Sequence, residues 1–210
     1  RGANNNPEAC GSAYVVSDLA DAIQYAVNNM NLDTSNIHII GVSGGGYAAL
    51  LSYMKLKYPV KSFNAWVPIS NLENWYWETK TRQLKYAEDV EKIITTNENI
   101  NWDEAKLRSP IFMEVPEIRK KSFLNIYAGI HDGYTGSVPI TQSIHFYNKI
   151  VKEIYGTGQN EIVPDTTIIS LVTKRANPNA NSDNTIGGRM IHLHKKTNEI
   201  ITSDGKDEHY

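Results

Sequence analysis

Apolar positions along this chain recur at two spacings, and the switch between them predicts the order of elements. Leu19, Ile23, Ala26, Val27 and Met30 follow helical spacing behind Ser17 or Asp18 as a cap, which predicts a helix packed by one face. After the polar loop 31–36, the apolar run 37–42 reads as a buried strand. Residues 47–58 have helix-forming composition and stop where Pro59 disfavours helix at the residue before it. Phe63 to Ile69 reads as a second buried strand.

From Asn71 to about Lys121 the alternation gives way to charged, helix-favouring segments at 78–96 and 103–107, with Trp75, Tyr76 and Trp77 near the start. This stretch reads as an insertion. Alternation resumes with a strand at 122–128, a glycine-rich loop at 129–137 and a helix at 139–155. A helical segment near 165–173, an Asn-rich loop at 176–184 and a strand pair near 189–203 complete the chain. Strands alternating with helices predict an α/β fold, a mostly parallel sheet with helices on both faces.

Composition narrows the function classes. With 210 residues and 40% hydrophobic content the chain can bury one core, and a net charge of −2 offers no basis for binding nucleic acid. No run approaches the ~20 apolar residues of a membrane span. The single cysteine, Cys10, excludes an internal disulfide and any cysteine-rich zinc site; it is expected as a partly buried free thiol.

The strand 37–42 runs through Gly41-Val42-Ser43-Gly44-Gly45 directly into helix-forming residues. A serine on such a bend sits in a strained backbone, and small residues two before and two after it let the chain turn back. Ser43 then stands clear of the sheet at a helix N-terminus, where the Gly44 N–H points toward a developing oxyanion. These are the parts of a nucleophile elbow.

A serine hydroxyl needs a base, and the base an orienting carboxylate. Folds that carry this elbow place them in the order Ser, acid, His. Asp132, just beyond the strand 122–128, is the best-placed acid, although Asp132-Gly133 is also a common turn pair. His38 and His131 precede the acid, in the wrong order, and His145 falls inside the helix read at 139–155 rather than on a loop after a later strand. His192 and His194 alternate on a strand and share a face, but two ligands without a third make a weak metal site. His209 follows the last strand and is taken as the base; no cofactor is required.

These residues resemble α/β-hydrolase-fold proteins related to the prolyl oligopeptidase group. The resemblance rests on the opening segment Arg1 to Ser12, the Gly-x-Ser-Gly-Gly-Gly bend, Trp66-Val67-Pro68-Ile69-Ser70, and the motif running from Gly129 through His131-Asp132-Gly133 to Ile140. It implies hydrolysis through an acyl-enzyme with Ser43 as nucleophile, Asp132 as acid and a C-terminal histidine as base. Such proteins usually end in Gly-Gly-His-Glu, whereas this chain has Gly205-Lys206-Asp207-Glu208 with His209 just beyond. Either the loop geometry has shifted or the base is lost.

Such a domain also carries strands ahead of the helix that leads to the nucleophile strand, so 1–210 is expected to be one hydrolase domain lacking its first strands. The strand 37–42 would then form an apolar edge, and the second oxyanion donor would be absent. Residues 71–121 take the place of a lid, with Trp75, Tyr76 and Trp77 as candidate substrate-binding residues, although packing explains them equally well. The expected substrate is a carboxylic ester, including acyl groups on carbohydrate, ahead of a peptide. A non-catalytic hydrolase-fold binding protein is the rival from another class. The resemblance slightly favours a secreted or periplasmic location.

Overall fold

The computed structural model describes Asn6, residues 9–156 and 162–174, and the backbone of 190–194 and 200–202. Helix α1 (Ala13–Asn29) is followed by strand β1 (His38–Val42), helix α2 (Gly44–Lys55) and strand β2 (Ser62–Trp66). Between β2 and the next long strand come α3 (Leu72–Thr81), α4 (Tyr86–Ile94), the short pair β3 (Thr95–Thr96) and β4 (Asn99–Ile100), and α5 (Trp102–Arg108). Strand β5 (Phe123–Gly129), α6 (Ile140–Tyr155), α7 (Asp165–Lys174), β6 (Met190–His194) and β7 (Ile200–Thr202) follow.

The main sheet has the order β1-β2-β5-β6-β7. Strands β1, β2 and β5 are parallel and in register, with Val42, Trp66 and Tyr127 side by side, whereas β6 runs antiparallel to β5 and β7 antiparallel to β6. The fold is thus mixed α/β with a mostly parallel sheet flanked by helices on both sides. No helix among the described residues is long and apolar enough to cross a membrane.

Strand alternation sorts the two faces. Ile39, Phe63, Ala65, Leu124 and Ile126 are buried in the core, where Tyr53 of α2 meets Phe63 edge-on at 5.3 Å. On the other face, β1, at the end of the sheet among the described residues, leaves Ile40 70% and Val42 53% exposed.

Several boundaries differ from the sequence reading, each for a local reason. Helix α1 starts four residues before Ser17, and Met30 falls at its exposed C-cap, outside the packed face. Strand β2 ends at Trp66 because Val67 takes a positive φ of 41°. Helix α3 begins at Leu72 because Asn71 caps it, its side chain accepting from the Asn74 N–H at 3.2 Å. The aromatic cluster thus lies inside a helix. Asn97 and Glu98, both at positive φ, turn β3 into β4 as a tight hairpin.

Helix α2 is anchored at its far end by Arg119, which is fully buried. Arg119 Nε donates to Tyr53 O at 2.8 Å and Nη2 to Tyr58 O at 3.1 Å and to Leu56 O. These carbonyls belong to the last turn of α2 and the residues after it, where helix geometry leaves acceptors without partners and the dipole favours a cation. The guanidinium also lies 4.8 Å over the Phe63 ring, and burial pulls its pKa down.

Candidate active site

Ser43 stands between β1 and α2 with φ 53° and ψ −116°, outside the regions an L-residue ordinarily occupies. Two backbone bonds hold it there: its N–H donates to Trp66 O of the neighbouring strand at 2.8 Å, and its carbonyl accepts the first helical bond of α2, from Tyr47 N–H, at 2.9 Å. The side chain is exposed. Gly44 and Gly45 form the first turn of α2, whose N–H groups have no acceptor inside the helix.

The glycines around Ser43 divide the work differently from the sequence expectation. A Cβ on Gly41 would overlap the Gly45 carbonyl, and one on Gly46 would come within 2.6 Å of Trp66 O. A Cβ on Gly45 would meet nothing. Smallness is therefore required at Gly41 and Gly46, while the backbone of Gly45 is the obstacle rather than the beneficiary.

Val67, at the end of the neighbouring strand, is a second strained position. It is buried, and its N–H donates to Tyr127 O at 2.7 Å. A β-branched residue at positive φ persists only where its surroundings enforce it, and such strain gathers at functional sites. Ser43 and Val67 share one edge of the sheet. Trp66 and Tyr127 stack beside them, with ring centroids 4.1 Å apart.

Asp132 lies on the turn after β5, at the same carboxyl-terminal edge as Ser43 and two strands across, about 10 Å at ordinary strand spacing. Its Oδ2 accepts from Gly129 N–H at 2.6 Å, and its own N–H donates to Gly129 O at 3.0 Å. The carboxylate is thus oriented by the turn it sits in. Gly133 has φ 84°, and a Cβ there would lie 2.5 Å from Pro139 Cα.

The remaining candidates are scattered. His209 lies outside the described residues. His38 is at the opposite end of β1 from Ser43, with Nδ1 2.6 Å from Ser62 Oγ, and His145 is exposed on α6. The backbone of His192 pairs with Tyr127 and that of His194 with Asn125, placing both at alternate positions of β6.

Successive helical residues point about 100° apart, so Trp75, Tyr76 and Trp77 face three directions. Trp75, 8% exposed, lines a cavity of about 740 Å³ together with Cys10, Val15, Leu19, Gly44 and Ala48. Burial pushes the Cys10 thiol up to about 11, so it stays protonated. Tyr76 is buried and donates to Glu91 Oε1 at 2.6 Å. Trp77 is 49% exposed and stacks 5.7 Å from Trp102.

Two polar residues that the sequence pattern did not single out tie the site together. Gln142 in α6 is buried; its Oε1 accepts from the N–H groups of Ser70 at 2.9 Å and Asn71 at 2.8 Å, locking the loop after β2 to the helix after the Asp132 turn. A polar residue four positions before Phe146, on the same helical face, was the available signal. Arg82, just after α3, donates from Nη2 to Gly136 O at 2.8 Å. No sequence pattern marked it.

Residues 12–160, well over half of the chain, match the sequence pattern of the prolyl oligopeptidase family, peptidase family S9. The chain belongs to the prolyl oligopeptidase family. Its fold is similar to two solved structures. One is an acylaminoacyl peptidase in complex with Z-Gly-Gly-Phe-chloromethyl ketone (21% identity, TM-score 0.51). The other is the Pyrococcus horikoshii acylaminoacyl peptidase (20% identity, TM-score 0.52). In each case 70% of this chain is covered but 22% of the other, so this member of the prolyl oligopeptidase family spans about a fifth of their length. No curated protein matches the sequence. The stretch matched to the family contains α1 to α6, hence both Ser43 and Asp132.

Proposed function

We propose that this protein is a serine hydrolase that cleaves an acyl bond through an acyl-enzyme, with Ser43 as nucleophile and Asp132 as the acid that orients the base. The carrying observation is the backbone of Ser43, at φ 53° and ψ −116° in a turn between a parallel strand and a helix. That geometry is the strained bend a nucleophile elbow requires. Gly44 N–H at the head of α2 is one oxyanion donor. The base is His209.

A carboxylic ester, including an acyl group on carbohydrate, is the first substrate class, with residues 71–121 in the place of a lid. A peptide bond is the second, and the likeness to acylaminoacyl peptidase structures favours it. Asp207, where family members usually carry histidine, keeps a non-catalytic binding role as the third.

A fluorophosphonate probe followed by peptide mapping tests the nucleophile: the adduct is expected on Ser43 and absent from Ser43→Ala. No adduct on wild-type protein would leave the binding role. Short-chain aryl esters and aminoacyl amides then rank the two substrate classes, and faster amide cleavage would put the peptide bond ahead of the ester.

A further inference from the structure

The turn that carries Asp132 is held from outside by helix α3. Arg82 Nη2 donates to Gly136 O at 2.8 Å and to Tyr134 O at 3.3 Å, and Trp75 Nε1 donates to Ser137 O at 3.0 Å. Trp75 and Arg82 are seven residues apart, two turns on one helical face. Three carbonyls of one glycine-rich turn therefore accept from α3 and its C-cap residue.

The turn's own bonds gather in its first half. Asp132 Oδ2 accepts from Gly129 N–H, Asp132 N–H donates to Gly129 O at 3.0 Å, and the N–H groups of Tyr134 and Thr135 donate to His131 O at 2.9 and 3.1 Å, whereas the Ile140 N–H to Asp132 O contact that closes it is long at 3.4 Å. Gly133 and Gly136 add backbone freedom that must be restrained from elsewhere. The donor side is rigid by contrast. Helix α3 closes with Leu84 N–H to Thr79 O at 2.9 Å and Gln83 N–H to Lys80 O at 3.0 Å, with Gln83 at φ 54°. This paired closure fixes the backbone from which Arg82 projects.

The same contact borders an open cleft of about 220 Å³ lined by Glu78, Arg82, Asp132 and Gly133. Glu78 Oε2 and Arg82 Nη1 are buried beside it with no hydrogen-bond partner among the described residues. Buried polar atoms left unpaired are destabilising, so packing stability alone does not account for this arrangement.

We propose that Arg82, supported by Trp75, is a positioning residue that fixes the Asp132 turn against α3, so that the segment between β2 and β5 sets the alignment of the acid. The assignment rests on Asp132 being the acid of the proposed hydrolase. Arg82 itself touches no reacting atom.

The test uses the 210-residue chain carrying Arg82→Gln, Arg82→Lys or Trp75→Phe. Amide hydrogen exchange over 131–137 is compared with α6 and β5, and the rate of Ser43 phosphonylation is followed from pH 5 to 9. Arg82→Gln is expected to speed exchange at 131–137 about tenfold, the size expected for one or two lost hydrogen bonds, while α6 is unchanged. Phosphonylation slows, and its pH midpoint moves. Arg82→Lys restores part of both, because an ammonium can still reach one carbonyl; Trp75→Phe shows a smaller change in the same direction. Should Arg82→Gln fail to fold, the other two variants decide. Unchanged exchange at 131–137 in the folded variants, or acceleration spread evenly over α6 and β5, would overturn the proposal. Absence of any Ser43 adduct in wild type would overturn the hydrolase reading and leave the exchange comparison standing.

Discussion

The carbonyl of Gly45 occupies the space that a side chain on Gly41 would need. Two glycines four residues apart on either side of Ser43 therefore have opposite tolerance to substitution. Gly41→Ala forces backbone against backbone, and overpacking of this kind typically destabilises by about 1–3 kcal/mol. Gly45→Ala meets no atom and replaces glycine in a helix, with an expected gain of about 0.5–1 kcal/mol. Urea denaturation of both variants checks the pair; equal effects would contradict the geometry.

Arg119 satisfies three carbonyls at and beyond the end of α2. Arg119→Met keeps much of the volume but leaves those acceptors buried and unpaired, at about 1–3 kcal/mol for each. We expect a loss of at least about 3 kcal/mol, measured by chemical denaturation. A loss below about 1 kcal/mol would mean that water reaches these carbonyls and replaces the guanidinium.

Burial raises Glu78 from its ordinary 4.5 to about 7, against the opposing pull of Arg82. Between those values the folded protein holds a proton that the unfolded chain has released. Stability therefore falls as pH rises from below 4.5 to above 7. Glu78→Gln mimics the protonated form at every pH, so it should be more stable than wild type at pH 8 and equal to it at pH 4. Denaturation midpoints at the two pH values decide this, and parallel pH profiles would refute it.

Ile40 and Val42 present apolar side chains on a strand at the end of the sheet. Exposed apolar edges promote pairing with other chains. Ile40→Lys is expected to reduce self-association of this chain in sedimentation or light scattering without lowering its melting temperature. Unaltered self-association would show that the β1 edge takes no part in it.

Much of the architecture was legible in the sequence because it depends on neighbours in the chain. The apolar run 37–42, the Gly-x-Ser-x-Gly bend and the helix after it form one continuous segment, and β1, Ser43 and α2 follow it closely. The strands at 62–66 and 123–129 and the helix at 140–155 were readable for the same reason. Asp132 was singled out from its position just past a strand, and it lies on the turn after β5. Helix α3 was misplaced because the Asn71 cap is a single side-chain bond that no apolar period reports.

What the sequence by itself determined was the order and type of the elements and the residues at the strand ends, since hydrophobic period, capping and turn chemistry act over a few residues. Only the tertiary structure decided how side chains far apart in the chain meet. It directed Trp75 toward Ser137 and Trp77 toward solvent, set Arg119 against the end of α2, and brought Arg82 to the Asp132 turn. Such contacts join residues some 50 to 70 positions apart, and their partners are backbone carbonyls, which carry no residue identity for a sequence pattern to display.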